Sequence, residues 1–159
     1  MIATGAKGGA LGVKATVPAV AHALKIHKDL SIQLVGDAAL LERELAKHAK
    51  ASMDRCQIIH ASEIVGMDEP VATALRNKKD SSMRRAIEQV KSGEAEACVS
   101  SGNTGALMAT AKYLLKTLHG VSRPAIMTTL PTTSERDVRV LDLGANIDAS
   151  AEQLLQFAI

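Results

Sequence analysis

Short apolar segments alternate with longer segments of helical periodicity along this chain, and this alternation limits its possible folds more than any other feature. We predict strands at these segments, after a very short first one: Ser31 to Val35, Arg55 to His60, Glu94 to Ser100, Arg123 to Pro131 and Val138 to Leu143. The predicted helices are Thr16 to Lys28, Ala38 to Ala51, one that runs to Ser92, Gly105 to Leu118 and a last one from Ala151. Val71 to Arg76 fits either a helix or a loop. This order favours right-handed βαβ units, hence an α/β fold with a mainly parallel sheet.

The core of such a fold must be aliphatic here, because the 159 residues contain no Trp and one each of Phe and Tyr. The length suits a single α/β domain over residues 1–159. Helical spacing assigns these residues to the buried sides of the first two helices: Val17, Val20, Ala21, Leu24, Ile26, Leu40, Leu41, Leu45 and Ala49. The last helix ends on apolar residues, from which we expect either a longer fold or docking on a partner chain.

A strand, a small polar loop and an apolar helix follow one another in the segment Ala97 to Met108. Gly102 and Gly105 allow a sharp turn and close approach of a ligand to the backbone. Ser101, Asn103 and Thr104 add polar groups at a helix N-terminus, whose first N–H groups have no partner within the helix. The pattern fits an anion site, typically for phosphate, and equally an ordinary strand-to-helix turn with a good N-cap.

Basic residues surround the start of the preceding helix, for which Ser81 or Ser82 is the expected N-cap and Gly93 the expected end. Lys79, Ser81 and Arg84 are candidates for holding an anion. The alternative is a solvated surface, which is the commoner role of charged helix ends.

Other function classes find little support in the sequence. A net charge of +2, with mixed signs and almost no aromatic residues, argues against nucleic acid as a partner. The five histidines lack metal-ligand spacing, so we expect no metal. Two cysteines within strand-like segments, Cys56 and Cys98, favour structural thiols in a reducing cytoplasm.

Several blocks in order resemble the bacterial PlsX-type phosphate acyltransferase family of fatty acid and phospholipid synthesis. These blocks are Lys79-Asp80-Ser81-Ser82-Met83, the segment Ala97 to Met108, Arg123-Pro124-Ala125, Leu141-Asp142-Leu143-Gly144-Ala145-Asn146 and Leu155-Gln156-Phe157-Ala158. The resemblance spans nearly the whole chain, but only about the N-terminal half of the family's usual length.

The resemblance implies a three-layer α/β/α fold similar to isocitrate and isopropylmalate dehydrogenases, used as a homodimer in the cytoplasm or peripherally at the inner face of the membrane. It implies transfer of a long-chain acyl group from acyl carrier protein to inorganic phosphate, without a cofactor. The acyl phosphate then feeds a downstream glycerol 3-phosphate acyltransferase at the membrane.

For the site, we expect Asn103, Asn146 and Lys79 to be catalytic. Asn146 follows a strand and is expected at the carboxyl edge of the parallel sheet, where ligands of α/β folds bind. The expected phosphate-binding residues are Ser81, Arg84, Ser101, Gly102, Thr104 and Gly105.

The first glycine turn departs from the family pattern. Where the family usually has Asp-x-Met-Gly-Gly-Asp, this chain has Gly5-Ala6-Lys7-Gly8-Gly9-Ala10, without either carboxylate. Two alternatives therefore stay open beside acyl transfer from acyl carrier protein. One is a phosphotransacylase that uses coenzyme A thioesters, and the other is a non-catalytic chain that folds, binds a partner or dimerises.

Overall fold

The computed structural model describes residues 1–6, 11–48, 54–133 and 136–159. The chain divides into two compact units, Met1–Leu115 and Lys116–Ile159. No helix within the described ranges is long and apolar enough to cross a membrane.

The first unit is a parallel sheet with helices on both faces, as the alternation of segments predicts. Its strands are β1 (Ile2–Gly5), β2 (Ile32–Gly36), β3 (Cys56–His60) and β4 (Ala97–Ser100), in the order β3-β2-β1-β4. Its helices are α1 (Val13–Ile26), α2 (Ala38–Leu45), α3 (Val71–Asn77), α4 (Ser82–Ser92) and α5 (Thr104–Leu115). All three strand pairings are parallel.

Alternation of side chains along the strands separates two packed layers. Ile32 and Leu34 of β2 face α1 and α2, where they join Val17, Leu24 and Leu41 in one core cluster. The neighbouring positions of the strands face α4; there Ala3, Val35 and Ala86 form a second cluster. Helices α3, α4 and α5 pack together around Ala74, Met83, Ile87, Ala106 and Leu114.

Two of the predicted core positions are wrong. Ile26 is 56% exposed at the last residue of α1, and Leu40 is 42% exposed, whereas its neighbour Leu41 is buried. Each residue turns about 100° around a helix axis, so only one of two adjacent leucines on a short helix can face the core. The predicted Ala49 lies outside the described residues.

Arg55 connects β3 to the end of α1. Its guanidinium donates to the backbone oxygens of His27, Lys28 and Leu30 at 2.8, 3.1 and 2.6 Å, and also to that of Leu24. The last carbonyls of a helix have no partner within it, and Arg55 supplies one for Leu24 in the last turn of α1. The other three oxygens belong to the segment that follows α1, and the bonds to Leu24 and Leu30 are the part-buried ones.

The second unit contains an antiparallel pair, β5 (Met127–Leu130) and β6 (Val138–Leu141), and a helix, α6 (Ala151–Phe157). The expectation that these strands join the parallel sheet is wrong. A parallel connection needs a crossover of a dozen or more residues, and the chain between Leu130 and Val138 is too short for one. Strand β6 ends at Leu141, because Asp142 and Leu143 take positive φ angles of 74° and 36°.

Candidate functional site

The loop after β4 lies at the carboxyl edge of the parallel sheet. Ser101, Thr104 and Gly105 are exposed there, while Gly102 is buried and donates its N–H to Ser100 Oγ at 3.2 Å. Within the described residues, the N–H groups of Thr104 and Gly105 have no hydrogen-bond acceptor. Two free N–H groups beside two hydroxyls can bind an anion, since the N-terminal end of a helix carries partial positive charge.

Gly105 lets the first turn of α5 pack closely against α3. A Cβ at this position would lie 3.1 Å from Val71 Cγ2, which is tighter than ordinary van der Waals contact. A larger residue would therefore require the Val71 side chain to shift by a few tenths of an ångström.

Asn103 stabilises the loop through hydrogen bonds of its side-chain amide. Its Oδ1 accepts the N–H of Ala106 at 3.0 Å, which is an N-cap bond for α5. Its Nδ2 donates to the backbone oxygens of Gly66, Met67 and Glu69 at 3.3, 2.9 and 3.0 Å. Since both ends of the amide contact protein groups, Asn103 joins the loop before α3 to the loop before α5.

A basic pocket of about 360 Å³ lies where α3, α4 and α5 meet, and it brings together two of the predicted residues. Lys79 and Arg84 line it with Arg76, Leu75 and Tyr113. The Arg84 guanidinium lies 5.8 Å from the centroid of the Tyr113 ring and donates to Glu88 Oε1 at 3.0 Å. Sequence reasoning missed Arg76 and Tyr113, since no local pattern connects residues on different helices.

Ser81 is the N-cap of α4, as predicted. It is buried. Its Oγ accepts a hydrogen bond from the N–H of Arg84 at 3.4 Å and donates one to the backbone oxygen of Lys78 at 2.9 Å. Gly93 ends the helix with a φ of 82°, also as predicted. The contacts of Ser81 therefore support the structure of α4 itself.

Asp80 anchors the segment before α4, a role that its place in the matched block did not suggest. Its Oδ2 accepts from the backbone N–H and the hydroxyl of Ser62 at 2.8 and 2.7 Å. These bonds, with a smaller contribution from the Arg85 guanidinium, hold the pKa of the Asp80 carboxyl below its ordinary value.

We expect Asp80→Asn to destabilise the protein near neutral pH, and the difference from the parent to shrink on acidification. A carboxyl whose folded pKa is lowered adds stability above its unfolded pKa of about 4, and this stability disappears as pH falls through the folded pKa. Urea unfolding between about pH 7 and pH 3 measures the difference.

Asp68→Asn removes an exposed carboxylate that lies outside these contacts, and serves as the control. A difference between Asp80→Asn and the parent that is constant over the whole pH range would contradict the role of the charge.

Asn146 belongs to the second unit. Its Nδ2 donates to Asp142 Oδ1 at 2.6 Å and to the Pro124 oxygen at 3.2 Å, and its backbone N–H donates to Asp142 Oδ2 at 3.3 Å. The strand that precedes it lies in the antiparallel pair and not in the parallel sheet, which removes the reason for expecting Asn146 at the carboxyl edge of that sheet.

The two cysteines are half-buried and free. Burial raises the pKa of the Cys56 thiol to about 11 and also raises the pKa of Cys98. Raised values disfavour the reactive thiolate, in agreement with structural thiols. The described residues contain no group of His, Cys, Asp and Glu that could hold a metal ion.

Comparison with known proteins identifies the lineage. The profile of a family described as "Fatty acid synthesis protein" matches residues 1–159. The chain belongs to this family. It is 58% identical to a phosphate acyltransferase of Coxiella burnetii strain CbuG_Q212 over an alignment of 161 residues. The alignment covers 99% of this chain and 46% of that protein.

Two further phosphate acyltransferases show the same coverage. That of Polynucleobacter necessarius strain STIR1 is 56% identical over 157 residues, 99% of this chain and 47% of that protein. That of Legionella pneumophila strain Paris is 54% identical over 158 residues, which are 99% of this chain and 46% of that protein. The resemblance seen in the sequence is confirmed, and the chain spans about half the length of the curated relatives it matches.

Proposed function

We propose that this chain supplies the phosphate-binding part of a phosphate acyltransferase, which moves a long-chain acyl group from acyl carrier protein to inorganic phosphate. The observation that carries the proposal is the exposed loop Ser101 to Gly105, where two hydroxyls and two N–H groups without an acceptor among the described residues meet at one helix N-terminus. The family to which the chain belongs supports acyl transfer as the reaction.

In this reaction a phosphate oxygen attacks the thioester carbonyl, and the resulting tetrahedral intermediate expels the thiolate. Phosphate is itself the nucleophile, so the protein has to hold it and stabilise negative charge. The N–H groups of Thr104 and Gly105 and the hydroxyls of Ser101 and Thr104 perform the holding. Lys79 and Arg84 raise the local concentration of anions through their charge.

The predicted catalytic roles of Asn103 and Asn146 stay predictions. Their hydrogen bonds to protein groups support a positioning role for both side chains, one beneath the loop and one after β6. We further propose a single domain over residues 1–159, a homodimer, a cytoplasmic location that includes the inner membrane surface, and delivery of the product to a glycerol 3-phosphate acyltransferase.

The test is trapping of acyl phosphate with hydroxylamine, in separate reactions with acyl carrier protein thioesters and coenzyme A thioesters. We expect product from the first only, and its loss in a Ser101→Ala/Thr104→Ala variant. Ser92→Ala removes an exposed serine at the C-terminal end of α4, outside the loop, and is the matched control. Product from coenzyme A thioesters alone would favour the phosphotransacylase, and no product at any enzyme concentration would favour the non-catalytic chain.

Restoring the acidic residues of the family pattern is expected to increase turnover. The atoms nearest to a Cβ at Gly5 would be Ser82 O and the backbone of Met83, at 3.7 to 3.8 Å, which is ordinary contact. A carboxylate there would lie near the N-terminus of α4, whose partial positive charge stabilises it.

We expect Gly5→Asp, alone or with Ala10→Asp, to remain folded and to raise the rate of acyl phosphate formation. The expected increase is roughly 100-fold, which is the lower end of the range for a positioned general acid or base. Ala39→Asp adds the same charge at an exposed position on α2 and is the control. Equal rates in all of these variants would show that the missing carboxylates do not limit the reaction.

A further inference from the structure

An apolar groove of about 400 Å³ lies on the α1 side of the parallel sheet, above β1 and β4. Its walls consist almost wholly of carbon atoms, and none of the described residues that line it is charged. This volume falls within the range of about 300 to 1,000 Å³ that is typical of small-molecule sites.

The two sides of α1 explain why the groove exists. Val17 and Leu24 are buried on the side that packs in the core, and Val20 lies between the two sides, since it is buried and also lines the groove. Ala15, Ala19 and Ala23, spaced four residues apart, line the groove instead, and their small side chains leave it open.

The sheet forms the floor of the groove. Thr4 pairs with Val99 in the parallel register, so their side chains lie on the same face of the sheet, the face that also carries Ile2 and Ile32. Val99 is 53% exposed in this position. A central strand and its neighbour thus present an apolar surface to the groove.

The groove begins at the candidate site. Gly5, Thr16 and Ser101 line the end at the carboxyl edge of the sheet, whereas Ile2, Ala23 and Leu30 line the opposite end. From Ala15 to Ala23 the helix advances about 12 Å. An extended chain advances about 1.2 Å per bond, so roughly ten carbons fit along it.

We propose that this groove binds the alkyl chain of the acyl substrate, with the carbonyl end of the acyl group at Ser101. That the ligand is an acyl group rests on the proposed function. That the bound part is its alkyl chain rests on the groove, which is narrow, is lined by uncharged residues and opens beside the loop where we place the phosphate.

Binding of saturated fatty acids of increasing length, measured by displacement of a fluorescent fatty acid, tests this assignment. Each added CH₂ that enters the groove should tighten binding about fourfold. The gain should stop at roughly ten carbons, where the groove is full. Affinity that does not depend on chain length would overturn the proposal.

A bulky substitution locates the binding. Ala19→Phe fills the middle of the groove from an exposed helix position and should weaken binding of the longer acids about 15-fold or more, the loss of two buried CH₂ groups. Ala39→Phe is the matched control on α2. If Ala19→Phe binds like the parent, the groove is not the alkyl site.

Sedimentation of the same variants identifies a different occupant. A dimer of the parent that Ala19→Phe dissociates, together with no binding of fatty acid, would assign the groove to a second copy and overturn the proposal. Binding that depends on chain length, without any turnover, would leave the groove assignment intact while the proposed function fails. Turnover together with unchanged binding in Ala19→Phe would support the proposed function and overturn the groove assignment.

Discussion

Replacing Asn103 by Ala is expected to lower the free energy of unfolding by about 2 to 4 kcal/mol. The substitution removes the N-cap bond to Ala106 and three bonds to the backbone oxygens before α3. An N-cap alone accounts for about 1 kcal/mol, and the part-buried Glu69 oxygen that loses its donor adds about 1 to 3 kcal/mol. The exposed oxygens of Gly66 and Met67 add less, because water can replace the donor. Chemical denaturation measures the change.

Two variants separate these contributions. Asn103→Ser keeps an oxygen that can cap α5 but loses the donors, so it should recover only the capping part. Thr104→Ala changes the exposed next residue and should leave stability within about 0.5 kcal/mol of the parent. If Asn103→Ala unfolds like the parent but loses activity, the side chain acts on substrate and its structural contacts are dispensable.

Replacing Arg55 by Met is expected to cost about 2 to 4 kcal/mol of unfolding free energy. The guanidinium is the donor for the oxygens of Leu24, His27, Lys28 and Leu30, and hydrogen bonds from charged donors are stronger than neutral ones. Met retains much of the apolar stem, so the loss reports on the hydrogen bonds and on the interaction of the positive charge with the end of α1.

Arg55→Lys keeps the charge but lacks the planar fork, so it should recover only part of the loss. Arg43→Met, at an exposed position on α2, controls for removal of a positive charge and should change stability by less than about 0.5 kcal/mol. Full stability of Arg55→Lys would mean that charge alone is sufficient, and that the four bonds are not the cause.

The parallel sheet was predictable because strand and helix signals alternate at the spacing of βαβ units. The caps of α4 were predictable for the same local reason: Ser81 and Gly93 have the residue types that those positions prefer. The antiparallel pair was missed because apolar content identifies a strand without its direction. The short connection after Leu130 carried that information, and it favours a hairpin.

The site was predictable only in part. The loop Ser101 to Gly105 lies at the expected edge, because a residue that follows a parallel strand must emerge there. The partners of Asn103 were not predictable, since they lie 34 to 37 residues away along the chain. The same holds for the basic pocket, where Arg76 and Tyr113 meet only through helix packing.

The position of β4 in the sheet has a consequence for association. As an outer strand, β4 pairs only with β1 among the described strands. Its residues Ala97 to Ser100 include no proline and no charge, the devices by which proteins usually prevent an outer strand from pairing with another chain. This edge is therefore a template on which a further strand can add, and such a strand would stiffen the segment that leads directly into the phosphate loop.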